Sequence, residues 1–322
     1  MAIQNFEKVV LLYKRDRRNI RFLFLEKNDN FCIGKRQIKH GNWIYKTAHG
    51  KILDKTRINI NVDPFFKRMI KFEYKKGGDL VRANVAISIA KVNNSIAIKL
   101  GKHCMWFDIK QIQKKKIPEN CKELVKDAIE YINKKDKLDK LNLAYRKLPY
   151  KFKNWDLSRR YVPGEGPVNA DVMVIGQAPG KMEDILQRPF VGRSGKLLDY
   201  LLKIAKLERN SVYITSVVQF FPPDNRKPNN AEINICREFL LEQIKIINPK
   251  LIILLGAVST GEVLGKTDIM KIHGKIFKKR YFATLHPAAA VRIKRNLPII
   301  ERDFKKLRRL LLNKKLLEKT YS

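Results

Sequence analysis

The sequence predicts an α/β protein in two parts. A basic, strand-rich region comes first, and a three-layer α/β/α region on a four-stranded parallel sheet follows. Two observations carry this. From Asp171 onward, short β-branched runs alternate with longer runs of helical period, the order that builds a parallel sheet with helices on both faces. Before Pro118, short apolar runs follow one another between turn signals, the pattern of a sheet or small barrel. The expected boundaries are a β-rich domain over 1–117, a helical connection over 118–148 and the α/β domain over 149–322.

In the first region Val9–Tyr13, Ile20–Leu25, Trp43–Tyr45, Ile58–Val62 and Asn84–Ala90 read as strands, with Ser95–Leu100 and Met105–Ile109 as two more. Asn28-Asp29-Asn30, Gly41-Asn42 and Lys76-Gly77-Gly78 supply the turns. Lys and Arg stand between the apolar positions, so the sheet is basic. It either binds nucleic acid or presents a solvated basic face. Pro118 suits a helix start, and Leu124, Ala128, Ile129 and Ile132 recur at helical spacing. The charged run Lys134–Lys137 interrupts that pattern.

In the second region the strands expected are Asp171–Ile175, Val212–Val218, Leu251–Leu255 and Tyr281–Leu285. The helices expected between and after them are Ser194–Lys206 with Ser194 as N-cap, Ala231–Ile246, Val258–Leu264 and a long basic Leu297–Leu317. Parallel sheets of this kind bind ligands at the carboxyl ends of their strands. The unusual residues fall there: Gly176-Gln177 after the first strand, Gln219–Pro223 after the second, Gly256 after the third and His286-Pro287 after the fourth. Gly176-Gln177-Ala178-Pro179-Gly180 is a turn that brings backbone amides close to a ligand above the sheet. Arg188–Gly192 holds one aromatic ring, Phe190, between Pro189 and Val191-Gly192.

Composition narrows the class of ligand. The 322 residues carry 68 Lys and Arg against 31 Asp and Glu, a net charge of +37. The first 150 hold 35 basic and 15 acidic side chains, so the excess is spread over both regions and is not a tail. A globular chain of this charge is expected to bind a polyanion, DNA first and RNA second. An AT-rich genome would favour Lys over Arg but would not remove acids. Hydrophobic residues make up 44% of the chain, which supports real cores. The four cysteines, Cys32, Cys104, Cys121 and Cys236, form no C-x-x-C pair. They fit free thiols in a reducing, intracellular compartment. No apolar run reaches the length of a membrane span, and the N-terminus lacks a signal-peptide layout.

Five ordered segments then resemble one family. Val162-Pro163-Gly164-Glu165-Gly166, Gly176–Gly180, Arg188–Gly195, Tyr213–Pro223 and His286-Pro287-Ala288-Ala289 are similar, in sequence and order, to the family 4 branch of the uracil-DNA glycosylases. The resemblance covers about the last half of the chain and says nothing of residues 1–148. It implies base flipping and cleavage of an N-glycosidic bond in base excision repair. By position it assigns catalysis to His286, as donor to the oxygen on which charge develops. It assigns the base to Phe190 by stacking, to the backbone at Gly176 and Gln177, and to Ser216. It assigns the DNA to Arg193, Ser194, Pro287, Ala288 and Arg292.

Three departures from the family pattern matter. The family holds an iron–sulfur cluster on four cysteines. Here Tyr150–Trp155 carries none of the first two, Phe220 stands at the third and Cys236 alone matches the fourth. No cofactor and no metal site are therefore expected, with Trp155 and Phe220 filling the space. The family's base-reading Asn is Ser216, a shorter side chain that offers less to a base edge. Gln177 replaces a Glu. Two uses follow: an active glycosylase of altered specificity, or a glycosylase-like domain serving as a DNA- or RNA-binding processivity, architectural or structural factor.

Overall fold

The computed structural model describes residues 3–16, 19–27, 30–32, 35–39, 42–46, 62–76, 79–91, 104–115, 117–151 and 156–312. The chain divides into two compact units, residues 1–133 and 134–322.

In the first unit the strands are β1 (Ile3–Asp16), β2 (Asn19–Lys27), β3 (Asn30–Cys32), β4 (Lys35–Lys39), β5 (Asn42–Lys46), β6 (Arg68–Lys76), β7 (Asp79–Lys91) and β8 (Cys104–Phe107). Six form one sheet in the order β3-β2-β1-β7-β6, with β8 also on β2, and β4 pairs with β5 alone. β1 and β7 run parallel, with Leu11 opposite Ile89. Leu11, Phe22, Phe24, Ile87 and Ile89 are buried and make the core. Strands stand where five of the expected runs were read. Ile58–Asn61 and Ser95–Leu100 lie outside the described residues. β6 was not expected, although Ile70, Phe72 and Tyr74 alternate with Lys71, Glu73 and Lys75 in strand period. The last strand stops early because Asp108 caps α1 (Ile109–Lys114). Its carboxylate accepts from the Gln111 amide and the Gln111 side chain accepts from the Asp108 amide, both at 3.0 Å.

The segment expected as a connection is one helix, α2 (Glu119–Arg146). Lys134–Lys137 does not break it, because lysine is a good helix former and each of these residues is at least partly exposed. The division between units falls inside this helix, after Asn133. Its first half belongs to the strands before it: the Tyr131 hydroxyl donates to Asp63 Oδ1 at 2.9 Å, and the Tyr131 ring meets Phe66 edge-on at 5.1 Å.

The second unit is built on β9 (Val172–Gly176), β10 (Val212–Ser216), β11 (Leu251–Leu255), β12 (Lys275–Phe277) and β13 (Tyr281–Thr284), in the order β10-β9-β11-β13-β12. The four expected parallel strands are present. A fifth, β12, adds an antiparallel edge on β13; three residues are too few to show a period in sequence. Every residue of β9, β10 and β11 is buried, as in sheets covered on both faces. Helices α3 (Lys181–Leu186), α4 (Arg193–Ile204), α5 (Asn230–Ile247), α6 (Gly256–Leu264), α7 (Ile269–Ile272), α8 (Pro287–Arg292) and α9 (Leu297–Leu312) connect and close it. Residues 313–317 of the expected last helix lie outside the described residues. On one face α4 supplies Leu198, Leu201 and Leu202, and α9 supplies Ile300, Phe304 and Leu307, against Val174, Ile253 and Phe282. Burying each such side chain contributes about 1.5–3 kcal/mol. Among the described residues, no helix is long and apolar enough to cross a membrane.

Candidate active site

The parallel strands end on a common edge, and a cavity of about 260 Å³ opens there. That is smaller than sites for drug-sized ligands, about 300–1,000 Å³, and suits one heterocyclic ring. Gln177, Phe190, Ser194, Ser216, His286, Ala288 and Arg292 of the expected residues line it. Gly176 shapes it from behind: a Cβ there would stand 2.5 Å from Phe190 Cζ and 3.3 Å from Ser216 Oγ. Only glycine lets the ring come so close. Its register partner on β10 is Ser216, and the turn is bound to the chain after β10, where the Val217 and Val218 amides donate to the Gly176 and Gln177 carbonyls at 3.0 and 3.1 Å.

Phe190 is held in an unusual pose. Its φ is +52°, a region that costs a non-glycine residue on the order of 1–3 kcal/mol. Its ring is 7% exposed and lies against His286, centroids 5.7 Å apart and 27° from parallel. Several groups hold the loop. Arg209 donates to the Pro189 and Phe190 carbonyls at 2.7 and 3.1 Å. One carboxylate, Glu183 on α3, accepts from the Val191 and Gly192 amides at 2.8 Å each and from the Gly180 amide at 3.1 Å. Arg188 turns outward to a two-pronged pair with Glu165, at 2.7 and 2.9 Å; burial raises the Glu165 carboxyl, but Arg188 and Arg209 together hold it below its usual range.

His286 stands at the start of α8. Its Nδ1 accepts from the Ala288 amide at 3.1 Å, so the proton of the neutral ring sits on Nε2. Nε2 is out of solvent and has no hydrogen-bond partner. Burial, with Arg292 adding to it, pushes the imidazole down to about 4. The ring is therefore a neutral donor with an unspent N–H, in a residue that lines the cavity. A polar atom buried in this way is costly unless a ligand completes it.

The remaining expected residues stand differently. Ser194 is not the cap of its helix: Gly192 is the N-cap and has no side chain to give a bond; its own amide donates to the Glu183 carboxylate. Pro287 is buried in the first turn of α8, where its fixed φ starts the helix, and it does not line the cavity. Arg193 is exposed at the start of α4, outside the cavity lining. Glu183, Thr215, Asn225 and Arg226 also line the cavity and were not expected. Arg226 is already committed, donating to Glu232 at 2.9 and 2.6 Å and to Asp156 at 2.7 Å. Behind Ser216, Thr215 and the buried amides of Gln219 and Gln243 bond one another. A signal existed for Glu183, an acid three residues after a helix-opening glycine, but it reads as an ordinary cap.

The comparisons with known proteins agree with this geometry. Residues 163–312 match the model of the uracil DNA glycosylase superfamily. The chain is 43% identical over 178 residues to a type-4 uracil-DNA glycosylase of Sulfurisphaera tokodaii, covering 51% of this chain and 81% of that protein. The chain belongs to the uracil DNA glycosylase superfamily. A second type-4 uracil-DNA glycosylase, from Saccharolobus solfataricus, is 40% identical over 192 residues, 56% of this chain and 88% of its own length. A type-5 uracil-DNA glycosylase of Pyrobaculum aerophilum is 29% identical over 160 residues, 43% of this chain and 70% of its own length. The likeness is to the family 4 branch.

That branch implies a four-cysteine cluster, and the residues present do not fit one. Cys236 is fully buried on α5, burial pushes its thiol up to about 12, and it is the one cysteine at the four positions where the branch carries them. Around it, Tyr145 stacks on Phe239 at 4.2 Å and meets Tyr161 and Phe220 edge-on at 5.3 Å each. The Tyr161 hydroxyl donates to Asn142 on α2 at 2.7 Å. Phe220 is fully buried against Tyr145, and Phe239 stacks on the same ring. Trp155 lies outside the described residues. Among the described residues, no three His, Cys, Asp or Glu side chains are grouped to hold a metal ion.

Proposed function

We propose that this chain flips uracil out of DNA into the cavity and hydrolyses its N-glycosidic bond, as the first step of base excision repair. The observation that carries this is the buried Nε2 of His286, without a hydrogen-bond partner, on a residue that lines the same cavity as Phe190. A donor placed where negative charge develops on the departing base lowers the barrier without reorganisation. The names of the two type-4 relatives support the same base and the same polymer. Phe190 stacks on the base, the turn at Gly176-Gln177 approaches its edge, and Ser194, Ala288 and Arg292 meet the DNA at the rim; Arg193 and Pro287 belong to the same two helix starts. The test is a gel assay on single- and double-stranded oligonucleotides containing uracil, with alkali to cut abasic sites. Strand cleavage at uracil is expected, and intact oligonucleotides under single-turnover conditions would refute an enzyme.

Ser216 favours a second reading, a glycosylase-like domain that binds DNA or RNA as a processivity, architectural or structural factor. Binding itself belongs to both. With +37 charges over both regions, affinity is expected to fall steeply with salt. Six to ten phosphate contacts give about a 10³–10⁵-fold loss between 50 and 200 mM. A chain beginning at Lys134 keeps Asn142 and Tyr145 with the unit they pack in, so it tests the share of the first unit. It should bind more weakly; full affinity without residues 1–133, or affinity indifferent to salt, counts against the proposal.

The same chain works without an iron–sulfur cluster, in a reducing intracellular compartment. The support is that Cys236 alone stands at the branch's four cysteine positions, with aromatic rings packed around it. Protein purified without oxygen is expected to be colourless above 350 nm and free of sulfide. Stoichiometric iron and acid-labile sulfide in that preparation would overturn this.

A further inference from the structure

α9 buries Ile300, Phe304 and Leu307, and among them one carboxylate, Asp303, 3% exposed. A charge in an apolar stripe is retained only where hydrogen bonds satisfy it. Two donors do. The Thr284 hydroxyl donates to Asp303 Oδ2 at 2.7 Å, and His273 Nδ1 lies 3.1 Å from both oxygens, its one N–H shared between them. Gly274 seals the contact: its φ is +66°, a Cβ there would stand 2.5 Å from Asp303 Oδ1, and its amide donates to the Ala283 carbonyl at 2.8 Å. Asp303 thus binds the end of β13 and the turn before β12 to one point on α9.

That end of β13 is also the approach to His286. Thr284 is the last residue of the strand, Leu285 is buried, and His286 follows. The side chain of His286 is tied forward, to the Ala288 amide. The backward tie of the same junction is Thr284 to Asp303. Packing alone would hold α9 on the sheet through Ile300, Phe304 and Leu307. A directional bond to the final strand residue does something packing does not: it fixes where the strand stops, and so where Nε2 of His286 stands. Misplacing a reacting group by about 1 Å costs about 100-fold in rate.

We infer that Asp303 and Thr284 are positioning residues for His286, setting the place of its Nε2 donor through the last turn of backbone before it. This rests on the reading of His286 given above. The experiment is single-turnover excision at saturating enzyme on a uracil oligonucleotide, with DNA affinity and thermal melting measured alongside, for Thr284→Val, Asp303→Ala and His286→Ala and for each of the first two combined with the third. At saturating enzyme an inactive fraction does not change the rate constant, so a folding defect alone leaves it in place. Thr284→Val is expected to lower the rate constant about 10-fold or more while DNA affinity stays within about twofold. In the His286→Ala background neither substitution should slow the reaction further, because residues that act through one group are not additive. The same loss in both backgrounds overturns the inference, as does an unchanged rate in folded Thr284→Val. If Asp303→Ala does not fold, Thr284→Val decides alone. A His286→Ala protein as fast as the parent overturns the reading of the site and this inference together. A slow His286→Ala beside an unaffected Thr284→Val overturns this inference alone.

Discussion

His286→Ala is expected to slow excision of uracil about 100- to 1,000-fold, the range for losing one preorganised donor to a developing oxyanion. The expectation comes from three properties of one ring. Its Nδ1 is occupied by the Ala288 amide, its Nε2 is buried without a partner, and burial pushes it down to about 4. The donor is therefore neutral and unspent, and the substitution removes it without touching the rim residues. DNA affinity should change by less than about threefold, since phosphate contacts dominate it. The pH dependence separates this role from a charged one. An imidazole near 4 stays neutral above pH 5, so the single-turnover rate should show no step at the ordinary histidine value of about 6.5. Stability carries the opposite sign. Below about 6.5 the unfolded chain takes up a proton at this residue, and the folded one does so only near 4. Acid therefore favours unfolding across that window, by up to an order of 3 kcal/mol. Urea melts at pH 7 and pH 4.5 should show His286→Ala losing less stability than the parent. A rate that rises toward acid with a step near 6.5, and a step that disappears in the variant, would mean that the protonated ring is the working form.

Much of the second unit was legible because its strands are short, fully buried and separated by helices of clear period. Val172–Gly176 and Leu251–Leu255 carry no residue that could face water, so no other assignment fits them. β12 and α3 were not legible, since three and six residues are too short for a period to show. α2 was read as an interrupted connection because Lys134–Lys137 looks like a solvated break, yet an isolated charge run does not end a helix that has buried side chains on both sides of it, Ile132 and Leu138. In the first unit β6 was hidden by its own lysines.

The site divides in the same way. Phe190, Ser216 and His286 were found because each occupies a strand end or a rigid turn, and the chemistry of a side chain there is read from its type. The residues that hold them were not found. Glu183 acts through three backbone amides, and Asp303 through a hydroxyl 19 residues before it; the first reads in sequence only as a helix cap, and the second has no local signature. The missing cysteines were plain in the sequence. What replaced them was only half visible, because Tyr145 comes from a helix that sequence alone assigned to a linker.

Ser216→Asn is expected to raise uracil excision roughly 10- to 100-fold, and it is the substitution on which the two readings of the chain part. Ser216 is 5% exposed at the end of β10, faces Gly176 in register and lines the cavity. The resembling branch carries at this position an Asn that offers a donor and an acceptor to one base edge. A serine hydroxyl is shorter and leaves one or two polar atoms of a bound base to water or to nothing. Each buried polar group left unpaired costs about 1–3 kcal/mol, which sets the size of the expected gain. The reverse follows for selectivity. A pocket that bonds its base firmly rejects bases that strand those bonds, so the serine form should excise uracil slowly and discriminate weakly against hypoxanthine and xanthine. Restoring Asn should widen the preference for uracil while leaving DNA affinity unchanged, because Phe190, the Gly176 turn and His286 already surround the base. The measurement is single-turnover excision by both forms on matched uracil and hypoxanthine oligonucleotides. Fast, uracil-only excision by the parent would show that another group reads the base; Asn225, which lines the same cavity with φ +55°, is then the residue to substitute. No excision by either form on any base would give the site to nucleic-acid binding alone, and the unspent N–H of His286 would then be a hydrogen bond to a base held and never cut.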